Sequence, residues 1–191
     1  MTIADTFADH AAVTARAALE LPPVLEQIVA TLHKCLRGGG KILACGNGGS
    51  AADAQHLAAE LVGRFRDERH ALAAIALTAD TATLTALSND YGFERVFARQ
   101  VEALARPGDV LIAISTSGNS PNVLHAAQAA RACGCSVVAL TGAGGGRLAG
   151  HADLILKAPS QIVARIQEVH SLSIHVICEA LDELVRAGEA R

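Results

Sequence analysis

Short apolar runs alternate with helix-length stretches along this chain, and that alternation leaves few folds open. The runs are Lys41 to Cys45, Ala71 to Leu77, Val110 to Ile114, Ser136 to Leu140 and Asp153 to Leu156. Between and after them, helical stretches are predicted at Ser50 to about Arg66, at about 80–88, at 93–105, at Pro121 to Cys133, and from Ile162 to about Ala187. Apolar strands that each return through a helix predict a parallel sheet covered on both faces. The expected fold is therefore α/β, a three-layer α/β/α sandwich around a central parallel sheet of five strands. Two further helices, 3–20 and 24–37, precede the first strand; Pro22-Pro23 separates them and Gly38-Gly39-Gly40 ends the second.

Bulk properties narrow the function. At 191 residues the chain is one domain with room for a substantial core. Only 3% of residues are aromatic against 51% hydrophobic, so Ala, Leu and Val must fill the interior. The net charge of −3 comes from dispersed charges with no basic stripe, which argues against nucleic acid as a partner. The five cysteines are odd in number and lack CxxC spacing, as expected of reduced thiols in a cytosolic protein. No signal-like segment opens the sequence and no apolar run reaches membrane-spanning length, so the expectation is a cytoplasmic protein without a membrane partner.

Two loops carry the chemistry. Cys45-Gly46-Asn47-Gly48-Gly49-Ser50 follows the first strand and opens a helix bearing His56 and Glu60. His and Glu at i,i+4 share one helical face. Ser115-Thr116-Ser117-Gly118-Asn119-Ser120 follows the third strand and also opens a helix. Glycines permit close backbone approach, and N–H groups at a helix start favour an anion, so Ser50 is read as lying at or near a helix N-cap with its N–H and hydroxyl available. No Lys follows the glycines as in a Walker loop, and the spacing departs from the dinucleotide fingerprint. Either loop alone would be explained by packing or capping. Together, at strand C-termini where such sheets bind ligands, they point to a phosphorylated sugar.

The segments CGNGGSAADAQHLAAEL, SNDYGF, GDVLIAISTSGNSPN, LTGAGGG and RIQEVHSLSIH together resemble the SIS (sugar isomerase) domain family over essentially the whole chain, and within it the isomerases of sedoheptulose 7-phosphate. The resemblance implies that Asn47, Gly48, Gly49 and Ser50 border the substrate, that Asn89 and Asp90 contact sugar hydroxyls, and that Ser115, Thr116, Ser117 and Ser120 hold the phosphate. It further implies one zinc ion per subunit on His56, Glu60, Gln167 and His175, with Glu60 and His175 as the catalytic pair, Glu60 and Gln167 also touching substrate, and Arg64 as a basic residue nearby. A homotetramer is implied too, with residues 1–37 as oligomerisation helices and 38–191 as the phosphosugar-binding core of a single domain, 1–191. A second branch similar to this chain is non-enzymatic and binds the replication initiator DnaA; it is expected to lack the Glu60 and His175 pair that this chain has.

Two expectations follow from spacing and chemistry. Gln167 and His175 lie about 12 Å apart along a helix, too far to meet one ion with bonds of about 2.0–2.2 Å, so at one site they should come from different subunits. A histidine nitrogen bound to metal cannot also deliver a proton, so the sequence leaves the role of His175 open between ligand and acid/base. His10, His33, His70, His125 and His151 are expected in surface or structural roles and His170 in helix packing. Glu168 is read as an exposed charge, and the Glu/Arg pattern over 179–191 as a solvated helix end.

Overall fold

The computed structural model describes residues 2–189. The five apolar runs form one sheet from β1 (Ile42–Cys45), β2 (Ala74–Ala76), β3 (Val110–Ile114), β4 (Ser136–Gly142) and β5 (Leu154–Ala158). Every neighbouring pair is parallel, in the order β2-β1-β3-β4-β5. β1 and β3 are buried at each position, which is why they read as unbroken apolar sequence. β2 is shorter than the predicted 71–77. It is an edge strand, and its flanks Leu72 and Leu77 are buried as anchors instead, their N–H groups donating to Leu61 O and Ala44 O.

Helices cover both faces, as the α/β/α expectation requires. α1 (Ile3–Glu20), α2 (Pro22–Arg37), α3 (Gly49–Val62) and α7 (Val163–Glu189) pack on one face, and α4 (Thr81–Tyr91), α5 (Val96–Leu104) and α6 (Pro121–Ala132) on the other. Successive strand residues feed the two cores alternately: Ile42 and Ile112 point to one, Leu43 and Leu111 to the other. α6 presents Ala126, Ala127 and Ala130, all fully buried, so its backbone lies close to the sheet without aromatic filler.

Three local expectations change. Pro22 and Pro23 do not separate the helices; they form the first turn of α2, where a missing N–H costs nothing. The segment Ser88-Asn89-Asp90-Tyr91 is helical, because α4 runs on until Gly92, at φ 81°, ends it. Gly48, not Ser50, precedes α3, and the Ser50 N–H donates to Asn47 O at 3.0 Å, so that group closes the turn and is not free for an anion. No described helix is long and apolar enough to cross a membrane.

The strand order fixes where a ligand can sit. From β1 the chain turns through α3 to β2, whereas from β3 it turns through α6 to β4, on the opposite side. The crossovers diverge and open a crevice at the C-terminal ends of β1 and β3, the switch point of this topology.

Candidate functional site

Both chemistry-bearing loops flank that crevice: 46–50 leaves β1 and 115–120 leaves β3. A reciprocal amide pair joins them. Asn47 Nδ2 donates to Asn122 Oδ1 and Asn122 Nδ2 to Asn47 Oδ1, each at 2.8 Å, with Asn122 buried in the first turn of α6. Asn122 is a residue the functional assignment from sequence left out, although it stands two places beyond Ser120 in the same motif.

In the second loop Ser115 Oγ and Ser120 Oγ lie 3.0 Å apart, and the Ser117 hydroxyl accepts from Asn119 N–H. Ser120 precedes α6 without making a side-chain cap. Its hydroxyl is turned to Ser115 instead, which disfavours a pure capping role for this run of hydroxyls. The glycine-rich segment after β4 supports the loop from behind. A Cβ on Gly118, at φ +65°, would lie 2.0 Å from Gly145 O, so the two backbones meet with no room for a side chain.

The third component comes from α7. Gln167 lies over Gly49, where an added Cβ would sit 2.2 Å from its Nε2. One turn later Ser171 Oγ donates to Asp53 Oδ1 at 2.7 Å, and the next turn brings His175 Nε2 to 3.3 Å from His56 Nε2. His56 Nε2 is also 3.0 Å from Glu60 Oε1. The two helices thus run alongside each other in the same direction, with paired residues at 49 and 167, 53 and 171, 56 and 175. The imidazoles of His56 and His175 meet edge-on, and the Phe65 ring lies 5.4 Å from that of His175, centroid to centroid.

The sequence-predicted residues therefore separate into groups. His56, Glu60 and His175 come together, and Asn47 joins the loop that bears Ser115 and Ser120. Gln167 is placed with Gly49, about 10 Å along α3 from His56. Asn89 and Asp90 lie exposed near the end of α4, with Asn89 Nδ2 donating to Asp90 Oδ1. Arg64 is exposed just beyond α3, where it donates to Arg66 O and lies 3.7 Å from Glu68.

A metal can be tested against this arrangement. Two imidazole nitrogens and a carboxylate oxygen make a donor set suited to zinc, and tetrahedral ligands on such an ion stand about 3.3 Å from one another. The His56 to His175 and His56 to Glu60 separations match that spacing. Among the described residues, no three His, Cys, Asp or Glu side chains close into a complete metal-holding group. The pairwise contacts both run through His56, so the donors fit an ion as a partial set that a further ligand must complete.

Two thiols near these elements, Cys45 and Cys178, are not nucleophiles. Burial pushes Cys45, at the end of β1, up to about 12, and burial with nearby Glu60 does the same to Cys178. Neither is a nucleophile at neutral pH.

Two charged regions expected to be solvated are tied into the fold. Glu168 is not a free surface charge: its carboxylate is 2.6 Å from His10 Nδ1 and 2.5 Å from Arg165 Nη2, tying α1 to α7. The described part of the 179–191 stretch is not simply solvated either, since Asp182 is buried against Arg69 and Glu179 pairs with Arg66, while 190–191 lie outside the described residues. His170 is buried and hydrogen-bonded to Thr141 O, a packing role as expected.

Residues 7–142 match the SIS domain family. The chain is similar to a phosphoheptose isomerase of Thiobacillus denitrificans, 53% identical over 196 residues that span 99% of this chain and 100% of that one. A phosphoheptose isomerase of Roseiflexus sp. is 61% identical over 160 residues, 84% of this chain and 81% of that one. The solved structure of phosphoheptose isomerase GmhA from Neisseria gonorrhoeae superposes with a TM-score of 0.90 at 49% identity, covering 95% of this chain and 97% of that one.

Proposed function

The chain belongs to the SIS domain family, and on that premise we propose that it interconverts D-sedoheptulose 7-phosphate and D-glycero-D-manno-heptose 7-phosphate. The observation that carries this reading is the meeting of Glu60 and His175 at His56, on helices that also border the two phosphate-type loops. The initiator-binding reading has nothing to favour it: Glu60 and His175 are both present and adjacent to the same imidazole, and the relatives named above are isomerases.

The chemistry requires little machinery. The hydroxyls of Ser115, Thr116, Ser117 and Ser120 hold the phosphate, and Asn47, Gly48, Gly49 and Ser50 border the chain of the sugar. Asn89 and Asp90 take sugar hydroxyls. Glu60 removes the proton from C1; the C1–H electrons form the enediol double bond as the C2 carbonyl becomes a hydroxyl. The same carboxylate returns the proton to C2, and the C1 oxygen is left as the aldehyde. A second group must move protons between the two oxygens, a role we assign to His175. Its alternative role is to help hold a metal, since one ring nitrogen cannot do both.

Zinc, one ion per subunit, is the cofactor we assign to His56, Glu60 and His175. When bound it would stabilise negative charge developing on the sugar oxygens. Gln167, the fourth expected ligand, lies with Gly49 in its own chain, which supports a ligand crossing from a neighbouring copy. An apolar groove lined by Ala17, Leu21, Leu25, Val29, Leu172 and Val176 runs between α1, α2 and α7, away from the polar cluster. It supports α1 and α2 as the oligomerisation helices of a homotetramer with active sites at its interfaces. The reading places the enzyme in the cytoplasm, at the first step toward ADP-heptose for lipopolysaccharide cores.

The deciding experiment is turnover of sedoheptulose 7-phosphate by the purified protein, with and without added zinc, beside Glu60→Gln. Turnover that Glu60→Gln abolishes sustains the reading. A folded protein inactive under both metal conditions overturns it.

A further inference from the structure

The row of contacts between α3 and α7 has a last member that the chemistry above does not use. Arg69, in the segment between α3 and β2, has a fully buried side chain. Its Nε donates to Asp182 Oδ1 at 2.6 Å, its Nη2 to Glu60 O at 2.8 Å, and its Nη1 to Leu61 O, Gly63 O and His70 O. One guanidinium thus closes the carbonyl end of the helix that carries His56 and Glu60, where a positive group also favours the helix dipole. The same group grips α7 through Asp182, about two turns beyond His175 and on the same helical side.

The segment between these anchors touches the site directly. Asp182 Oδ2 accepts from Arg66 N–H at 3.3 Å, and Arg66 and Asp67 pair with Glu179 and Arg186 of α7. Phe65, held between α3 and this strap, packs on His175, and Arg64 leaves from the same turn. A buried ion pair is weak support for stability, since apolar residues of equal volume do as well. What an apolar pair cannot supply is direction: the planar fork has fixed donor angles and engages two helices and a loop at once.

We propose that Arg69 and Asp182 form a positioning pair that sets the separation of His56 and Glu60 on α3 from His175 on α7. The proposal rests on the isomerase reading for its kinetic consequence but not for its geometry. It acts at one end of α3 only, because the phosphate-type loops lie at the other.

The test compares Asp182→Asn with the conservative Arg69→Lys and Asp182→Glu, and with Asp109→Asn as a control. Asp109 forms another ion pair, with the part-buried Lys41, at the N-terminal ends of the central strands β1 and β3. Each protein is melted by circular dichroism, then assayed on sedoheptulose 7-phosphate at a temperature where it is fully folded. Displacing a reacting group by an ångström costs up to about a hundredfold in rate, so kcat is expected to fall at least about tenfold in the Arg69 and Asp182 variants. KM should move by less than about threefold, because substrate binding at the loops is untouched. Asp109→Asn should lower the melting temperature and leave kcat alone. The conservative variants decide the matter if Asp182→Asn does not fold. Folded variants with wild-type kcat, or an equal loss of kcat in Asp109→Asn, overturn the proposal. If the wild-type protein itself fails to turn over this sugar, the isomerase reading falls instead. The positioning claim is then judged by the imidazole 15N shifts of His56 and His175, which must move in the folded variants and stand unchanged if the pair positions nothing.

Discussion

The two ends of α3 are built by different means. At its start, the site is backbone: Gly48 turns the chain at φ 56°, Gly49 leaves room for Gln167, and the neighbouring loop meets the 145–146 backbone without a side chain between. Toward its finish, the site is side chain: two imidazoles and a carboxylate meet between helices more than a hundred residues apart in sequence. The first kind of site rests on close backbone approaches at glycines, where a side chain has no room. The second kind exists only if α3 and α7 keep their spacing. Binding should therefore fail at one end and rate at the other.

The largest effect should come from Glu60→Gln. It removes the base, and with it a carboxylate assigned to zinc, while keeping the shape, so kcat should fall at least on the order of 10²–10⁴-fold, the usual worth of a positioned acid or base. KM should change little. A variant that instead binds poorly but turns over normally would place Glu60 in recognition and dissolve the contrast between the two ends.

Gly118→Ala probes the backbone end. The new methyl would have to lie 2.0 Å from Gly145 O at a positive φ of 65°, so the loop must move. Strain of this kind costs about 1–3 kcal/mol, which lowers the melting temperature by about 2–4 °C per kcal/mol in a chain of this size. The expected kinetic signature is a raised KM with kcat largely kept. A fall in kcat alone would show that the two ends are coupled through α3.

Legibility in the sequence followed the same division. The sheet, its strand count and both loops could be read from local pattern, because buried parallel strands are apolar throughout and the turns after them are dense in Gly and Ser. The pairing of His56 with Glu60 follows from one helical repeat. Asn122 escaped because its work is done across the crevice with Asn47, and a lone Asn in a helix start reads as polarity. Arg69 and Asp182 escaped for the reverse reason. A charged residue in a loop and another near a helix end look solvated, and only the tertiary approach of α7 buries them. Helix ends are hard to read where several weak signals compete: Ser88-Asn89-Asp90 is rich in turn formers, yet α4 continues until Gly92, whose positive φ ends it.

Asn122→Ala should sharpen the comparison by loosening the bridge between the loops. It leaves the Asn47 side chain with one partner fewer in a part-buried position, a loss of about 1–3 kcal/mol. Melting temperature should drop by an amount similar to Gly118→Ala, and KM should rise. Asn47→Ala and the double variant complete a cycle; if the pair acts as one unit, the double variant costs little more than either single one.

The smallest expected effect lies at the N-terminal ends of β1 and β3, where Asp109 bonds to Lys41 and Arg106 and to neither α3 nor α7, and it separates stability from function. Burial raises the pKa of the Asp109 carboxyl, but hydrogen bonds from the Lys41 ammonium, the Lys41 N–H and the Arg106 N–H, with the Lys41 charge, outweigh it and hold the group below its ordinary 3.8. A depressed carboxylate contributes stability that is complete above the unfolded value and lost as pH falls through the folded one. His170 is also depressed, by burial that outweighs its bond to Thr141, so its contribution is complete above the ordinary 6.5 and declines as pH falls below it. Melting curves should therefore fall in two stages, the first beginning below about pH 6.5 and the second below about pH 4. Asp109→Asn should flatten only the second, and turnover at neutral pH should not change. If that variant instead lowered kcat, the N-terminal ends of the central strands would be linked to the His56 cluster, and the separation of stability from chemistry in this fold would have to be redrawn.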